Sequence, residues 1–279
     1  MPLSINTNIA SMTAQRSFLN SNQSLETSFE RLSTGKRINS AVDDAAGLAI
    51  GKDLESRVSG LNQAVRNVND GISMVQIMEG SYDEVTTILQ RMRDLAVQAA
   101  NDSLTTTERT YLDNEATKLA SSLDSVMNQA KFANKDLVVA TNTSTTVVIH
   151  SGADADDTIE ITLSNNTTDD AAGLGVDNSG VVLGTKAGAT AAITDIDDAL
   201  DAIASRRADL GAQQSQLESV VRNLANVAEN TAAAAGRVMD TDYASETANL
   251  TKAQILQQAA TSILAQANAQ PQAVLALLQ

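Results

Sequence analysis

The chain has 279 residues, 43% of them hydrophobic but only 2% aromatic, with two prolines, one histidine, no cysteine and a net charge of −15. This composition excludes disulfides, thiol chemistry, zinc motifs and His-pair metal sites, and a core of Ala, Leu, Ile and Val favours thin helical seams. The acidity is concentrated: twelve acids from Asp136 to Asp201 face only Lys135 and Lys186, a net −10 that disfavours nucleic acid and anionic membranes.

No run reaches the ~18 apolar residues of a membrane span, and Met1-Pro2-Leu3-Ser4 lacks the basic and apolar regions of a cleaved signal. Residues 3–34 read as an amphipathic helix with Leu25, Phe29 and Leu32 on one stripe and a stop at Gly35. A short link follows, then Ser40 and Asp43 at capping-box spacing before a long second helix. There Leu54, Val58, Leu61, Val65, Val68, Ile72 and Val75 repeat in alternating steps of four and three. Met78, Tyr82, Val85, Leu89, Met92, Ala96 and Ala99 continue the pattern after an offset near Gly71 and Gly80, where a stammer or bend is expected. Such a run predicts a coiled-coil seam.

Thr105 and Glu108 form a second capping box, opening a third helix with Leu112, Ala116, Leu119, Leu123 and Val126 on its stripe. The short connection makes helices two and three antiparallel neighbours. From about 137 to 192, β-branched and alternating stretches at 145–149 and 158–163 predict two or three small hairpins. Thr194 and Asp197 are read as the cap of a fourth helix carrying Ile203, Leu210, Leu217, Val221 and Leu224, its stripe interrupted by Arg207 and Gln214. A second link at 236–242 mirrors the first. The last segment, 243–279, has only Glu246 and Lys252 as formal charges and places Ile255, Ile263, Leu275 and Leu278 among Ala, Gln and Asn. Neither end can bury a core alone, so each needs a helical partner, most simply the other. His150 with Asp154, Asp156 and Asp157 suggests a cation site, but the spacing of a calcium loop is missing, and solvated loop carboxylates are the favoured reading. No catalytic, metal or cofactor-binding residues are expected.

The residues from Leu32-Ser33-Thr34-Gly35-Lys36-Arg37-Ile38-Asn39-Ser40 to Asp43-Asp44-Ala45-Ala46-Gly47-Leu48 resemble the N-terminal signature of bacterial flagellins. Leu89-Gln90-Arg91-Met92-Arg93-Asp94-Leu95-Ala96 is similar to their central helix motif, and Lys252-Ala253-Gln254-Ile255-Leu256-Gln257-Gln258-Ala259 with Leu264-Ala265-Gln266-Ala267-Asn268 to their C-terminal one. The resemblance implies a mainly α fold: a long coiled-coil-like bundle, a small β-hairpin region and paired terminal helices. It implies an inner (D0-like) domain from 1–44 and 241–279 and a D1-like domain over 45–240, without large outer domains.

The implied function is that of a non-enzymatic subunit self-assembling into the extracellular flagellar filament; a hook–filament junction protein is the alternative. Leu25, Phe29, Leu32, Ile255, Ile263, Leu275 and Leu278 are the implied assembly interface. The implied partners are other copies of the chain, the flagellar export apparatus, a secretion chaperone, the filament cap and hook-junction proteins. Arg91, Leu95 and Glu115 match positions recognised in the family by an animal toll-like receptor. One departure is Phe132-Ala133-Asn134-Lys135, where the family often has Phe-Asn-Gly.

Overall fold

A computed structural model describes residues 8–138, 146–163, 173–177 and 180–277, with side chains through Ala269. In chain order the elements are α1 (Ile9–Thr34), α2 (Ala45–Ala99), α3 (Thr106–Gln129), β1 (Lys131–Phe132), β2 (Lys135–Asp136), β3 (Thr146–His150), β4 (Thr158–Thr162), α4 (Lys186–Met239) and α5 (Tyr243–Leu277). The fold is mainly α, with two small antiparallel hairpins, β1–β2 and β3–β4. It divides into two units, residues 57–229 and residues 1–56 with 230–279.

In the 57–229 unit the repeating stripes meet as one core. Val68, Met78, Tyr82, Leu89 and Met92 of α2 pack with Leu123 of α3 and Ile196, Ile203 and Leu217 of α4. Leu61, Leu210 and Leu224 are buried in the same core, and Val65, Ile72, Leu112, Leu119 and Val221 lie half-buried against it. Leu54 and Val58, at the start of the repeat, are also half-buried.

The Thr105–Glu108 capping box is formed in both directions, which satisfies two backbone donors that the helix start would otherwise leave open. Arg109 ties the connection down by donating to the carbonyls of Ala99 and Asn101, each at 2.8 Å. Arg207, which breaks the stripe of α4, meets two acids of α2: its guanidinium lies 2.8 Å from Glu79 and 3.1 Å from Asp83. These partners, Glu79 first, raise its pKa.

As expected, one helix carries both repeat blocks: α2 runs from Ala45 to Ala99. Gly71 is a seat for the β3–β4 hairpin, with the Cδ1 atoms of Ile149 and Ile161 against the helix where a side chain would otherwise stand. Two expectations need correction. First, Ser40 and Asp43 close a turn rather than cap α2: Asp43 accepts from the Asn39 and Ser40 amides and the Ser40 hydroxyl. The helix is capped one residue later, by Asp44 accepting from the Gly47 amide at 2.9 Å.

Second, α4 begins at Lys186, before Thr194. Thr185 caps it, its hydroxyl accepting from the Gly188 amide. The extra turns are held by Ala189 and Ala192, both fully buried, while Asp197 pairs with Arg93 at 2.6 Å. At the other end α4 runs through Gly236 to Met239, so the second link shortens to residues 240–242.

The β3–β4 hairpin pairs Thr146 with Thr162 through to His150 with Thr158. Its period-two pattern turns Ile149 and Ile161 inward and leaves Val148 exposed. At its tip Arg57 meets Asp154 at 3.2 Å, and Asn67 donates to the His150 carbonyl.

Candidate assembly face of the terminal helix pair

The unit formed by residues 1–56 and 230–279 is built on a clasp between the two links. The Arg37 amide donates to the Met239 carbonyl at 2.6 Å, and the Thr241 amide donates to the Gly35 carbonyl at 3.0 Å. Gly35 stands in the left-handed region at φ 71°, and a Cβ there would come within 2.9 Å of the Tyr243 hydroxyl, so both backbone and neighbour call for glycine. Ile38 and Met239 are buried apolar residues of this clasp. Lys36 reaches Glu55 at 2.6 Å, and Lys52 reaches the other oxygen of the same carboxylate at 2.7 Å. These bonds, that from Lys36 first, lower the Glu55 pKa to about 2.

From the clasp, α1 and α5 run antiparallel as a pair, and their seam is made of small residues. On α1 the buried positions are Ser11, Ala14, Ser21 and Ser28, with Phe18, Leu25 and Leu32 half-buried between them. On α5 they are Glu246, Ala253, Ala260 and Ala267, seven residues apart, with Leu250, Gln257 and Leu264 half-buried between. Polar side chains cross the seam as well. Asn8 donates to the Ala267 carbonyl at 2.8 Å, Ser11 to Asn268 at 2.8 Å, and Gln257 to Asn22. Beside the seam runs a polar groove of about 690 Å³ lined by Asn20, Ser24, Thr27, Arg31, Asn249 and Lys252.

A seam whose buried positions are mostly Ala and Ser removes little apolar surface from water, and several large apolar side chains of the pair are turned away from it. Phe29 is 64% exposed, Ile255 61% and Ile263 55%, and Ile9, Met12, Leu19 and Leu256 are also exposed. Of the sequence-assigned interface, then, Leu25 and Leu32 sit in the seam and Phe29, Ile255 and Ile263 point outward. The side chain of Leu275 and the whole of Leu278 lie outside the described residues. The small seam residues were missed in the sequence. Their signal was the seven-residue recurrence of Ala14, Ser21 and Ser28 and of Ala253, Ala260 and Ala267, hidden among many other Ala and Ser.

The remaining candidates are soon placed. Arg91 and Glu115 form a surface ion pair at 2.6 Å between α2 and α3, whereas Leu95 is only 1% exposed. The acids beside His150 do not converge: Asp154 is engaged by Arg57, Asp157 accepts from the Asp154 amide, and the His150 ring meets the Asp157 carbonyl. Among the described residues no group of three or more His, Cys, Asp or Glu could hold a metal. None of their helices is long and apolar enough to cross a membrane.

Long seams that close on themselves, and a terminal pair that leaves Phe29, Ile255 and Ile263 facing outward, define a helical subunit built to associate. The comparisons with known proteins specify it further. The description "Bacterial flagellin N-terminal helical region" matches residues 5–143, and "Bacterial flagellin C-terminal helical region" matches residues 193–278. The chain is 40% identical over 276 residues to a flagellin of Halalkalibacterium halodurans and 39% identical over 287 residues to the flagellar filament 33 kDa core protein of Treponema phagedenis; in both comparisons 99% of each chain is covered. The crystal structure of Bacillus cereus flagellin superposes with a TM-score of 0.50 at 29% identity, covering 61% of this chain and 94% of that one.

The chain belongs to the bacterial flagellin family and is a structural subunit of the flagellar filament. A flagellar hook-associated protein from Vibrio parahaemolyticus, at 18% identity and a TM-score of 0.61, shares the fold alone.

Proposed function

We propose that residues 1–44 and 241–279 form the inner domain of the filament and 45–240 the surrounding one, and that the outward apolar residues of the terminal pair are the face on which neighbouring copies dock. The observation that carries this reading is the division of labour in the pair: small residues flanked by half-buried Leu25 and Leu32 in the seam, Phe29, Ile255 and Ile263 outside it. Large apolar side chains gathered on one exposed face mark a surface that a partner covers.

The subunit reaches the cell exterior through the flagellar export apparatus. A secretion chaperone keeps the outward face covered beforehand, and hook-junction and cap proteins bound the filament at its two ends. Family membership supports these partners. Deleting residues 243–279 tests the docking face: the product is expected to stay helical and monomeric, because the core of the other unit lies within residues 61–228. Normal filaments from that truncated chain would refute the reading.

Recognition by the animal toll-like receptor is proposed to use the exposed Arg91–Glu115 pair, with Leu95 holding the helix from within. Replacing Arg91 with Ala should lower receptor signalling by purified monomer; unchanged signalling would sink that role.

A further inference from the structure

The terminal helices carry few charges, and most of these are unused within the chain. Arg31 meets Glu246 at 3.8 Å. Arg16, Glu26 and Glu30 of α1 and Lys252 of α5 are exposed and have no ion-pair partner among the described residues. Docking of another copy on this unit takes such side chains out of water, where an unpaired charge is strongly unfavourable. The acids and Lys252 also stand on different surfaces. Lys252 lines the polar groove beside the seam together with Arg31 and Glu246, so the groove holds two positive charges against one negative. Arg31 Nε is buried without a hydrogen-bond acceptor. Glu26, Glu30 and Arg16 lie outside the groove. At about 100° per residue, Glu26 and Glu30 fall together on the side of α1 opposite the seam positions Ser21 and Ser28.

We propose that the groove of one copy takes the Glu26–Glu30 edge of a neighbouring copy, with Lys252 and Arg31 Nε as the groups that meet the carboxylates. This rests on the assembly reading above and names the polar half of the same contact. The groove offers positive charge and an open N–H donor, and the acidic edge offers acceptors of the opposite sign. Because groove and edge are different surfaces of the chain, the contact is heterologous. Each copy presents its groove to one neighbour and its acidic edge to another. A contact of this kind generates a ring or an open helical filament, never a two-fold dimer. The charges thereby give the association its direction, while the apolar groups supply burial.

Charge reversal in the full-length chain tests the pairing, with filament sedimentation as the readout. Lys252→Glu sets like charges against each other across the contact and should raise the critical concentration for polymerisation about tenfold or more. Adding Glu30→Lys or Glu26→Lys to that chain restores opposite charges and should bring the concentration back toward the parent value. Polymerisation of Lys252→Glu at the parent concentration would overturn the proposal. So would failure of both acid reversals to rescue it, because damage within one copy is not repaired by a change on the surface of another. The apolar face is judged separately by Ile263→Ser. If that substitution impairs polymerisation and Lys252→Glu does not, the charge pairing falls and the apolar docking face stands. If Ile263→Ser is silent and the charge rescue succeeds, the groove contact stands without that apolar face.

Discussion

Gly71 and Gly80 lie on the same helix, yet a methyl group added at each meets different surroundings. At Gly71 it would overlap Ile149 Cδ1 and stand 3.0 Å from Ile161 Cδ1, whereas nothing lies within 4 Å at Gly80. Both isoleucines are buried in the core, so neither can step aside without moving the hairpin. Gly71→Val should therefore destabilise by about 1–3 kcal/mol through overpacking. Gly80→Ala should stabilise by roughly 1 kcal/mol, the helix-propensity difference alone. Denaturant unfolding of the two variants checks the opposite signs.

A second expectation concerns the β1–β2 turn. Ala133 at φ 45° and Asn134 at φ 67° both stand in the left-handed region, in a two-residue loop closed by Phe132 and Lys135. Such loops favour Asn followed by Gly. The tight turn survives without that dipeptide, at a conformational cost. Ala133→Asn with Asn134→Gly should recover about 1 kcal/mol and raise the melting temperature by roughly 2–4 °C, read by calorimetry.

The elements were legible wherever one periodicity dominated. The stripe of α2 and the Thr105–Glu108 box appear as read, because a repeat of threes and fours and a reciprocal cap are local signals. The start of α4 was not legible. Thr194 and Asp197 have capping spacing, but Ala189 and Ala192 are buried by tertiary packing, and burial extends the helix past a local signal. The role of Gly71 as a seat was not legible for a similar reason: the sequence displays the gap, not the hairpin residues that fill it.

The clasp between the links is also an element-scale device, and Glu55 makes it sensitive to acid. Its pKa falls from the ordinary 4.5 to about 2 in the folded chain, through the Lys36 bond first and the Lys52 bond second. A depressed carboxylate pKa gives stability that is fully present above about pH 4.5 and is lost as the pH falls toward 2. Both partners are over a third exposed, so the contribution belongs with exposed ion pairs, about 0.2–1 kcal/mol. The stability difference between the parent and Glu55→Gln should thus be small at neutral pH and vanish by pH 2. A difference that grows on acidification would contradict this account.

At the scale of the whole molecule, the candidate site was half legible, and the missing half changes what mutations should do. The sequence marks Leu25, Phe29, Leu32, Ile255 and Ile263 as one apolar set, but periodicity cannot say which helix face meets a partner within the chain and which waits for another copy. The structure separates them: Leu25 and Leu32 join the Ala and Ser of the seam, and Phe29, Ile255 and Ile263 remain outside. Two kinds of defect should follow. Ala260→Leu inserts bulk into the seam and should loosen the pair itself, lowering the helical signal of the monomer as well as assembly. Ile263→Ser leaves the seam intact, so the monomer should keep its helicity. Its cost appears only on docking, where full burial of an isoleucine contributes about 1.5–3 kcal/mol. At 1.4 kcal/mol per factor of ten, the critical concentration for polymerisation should rise by roughly tenfold to a hundredfold. Sedimentation of filaments against circular dichroism of monomers distinguishes the two, and an Ile263→Ser chain that polymerises at the parent concentration would remove this residue from the docking face.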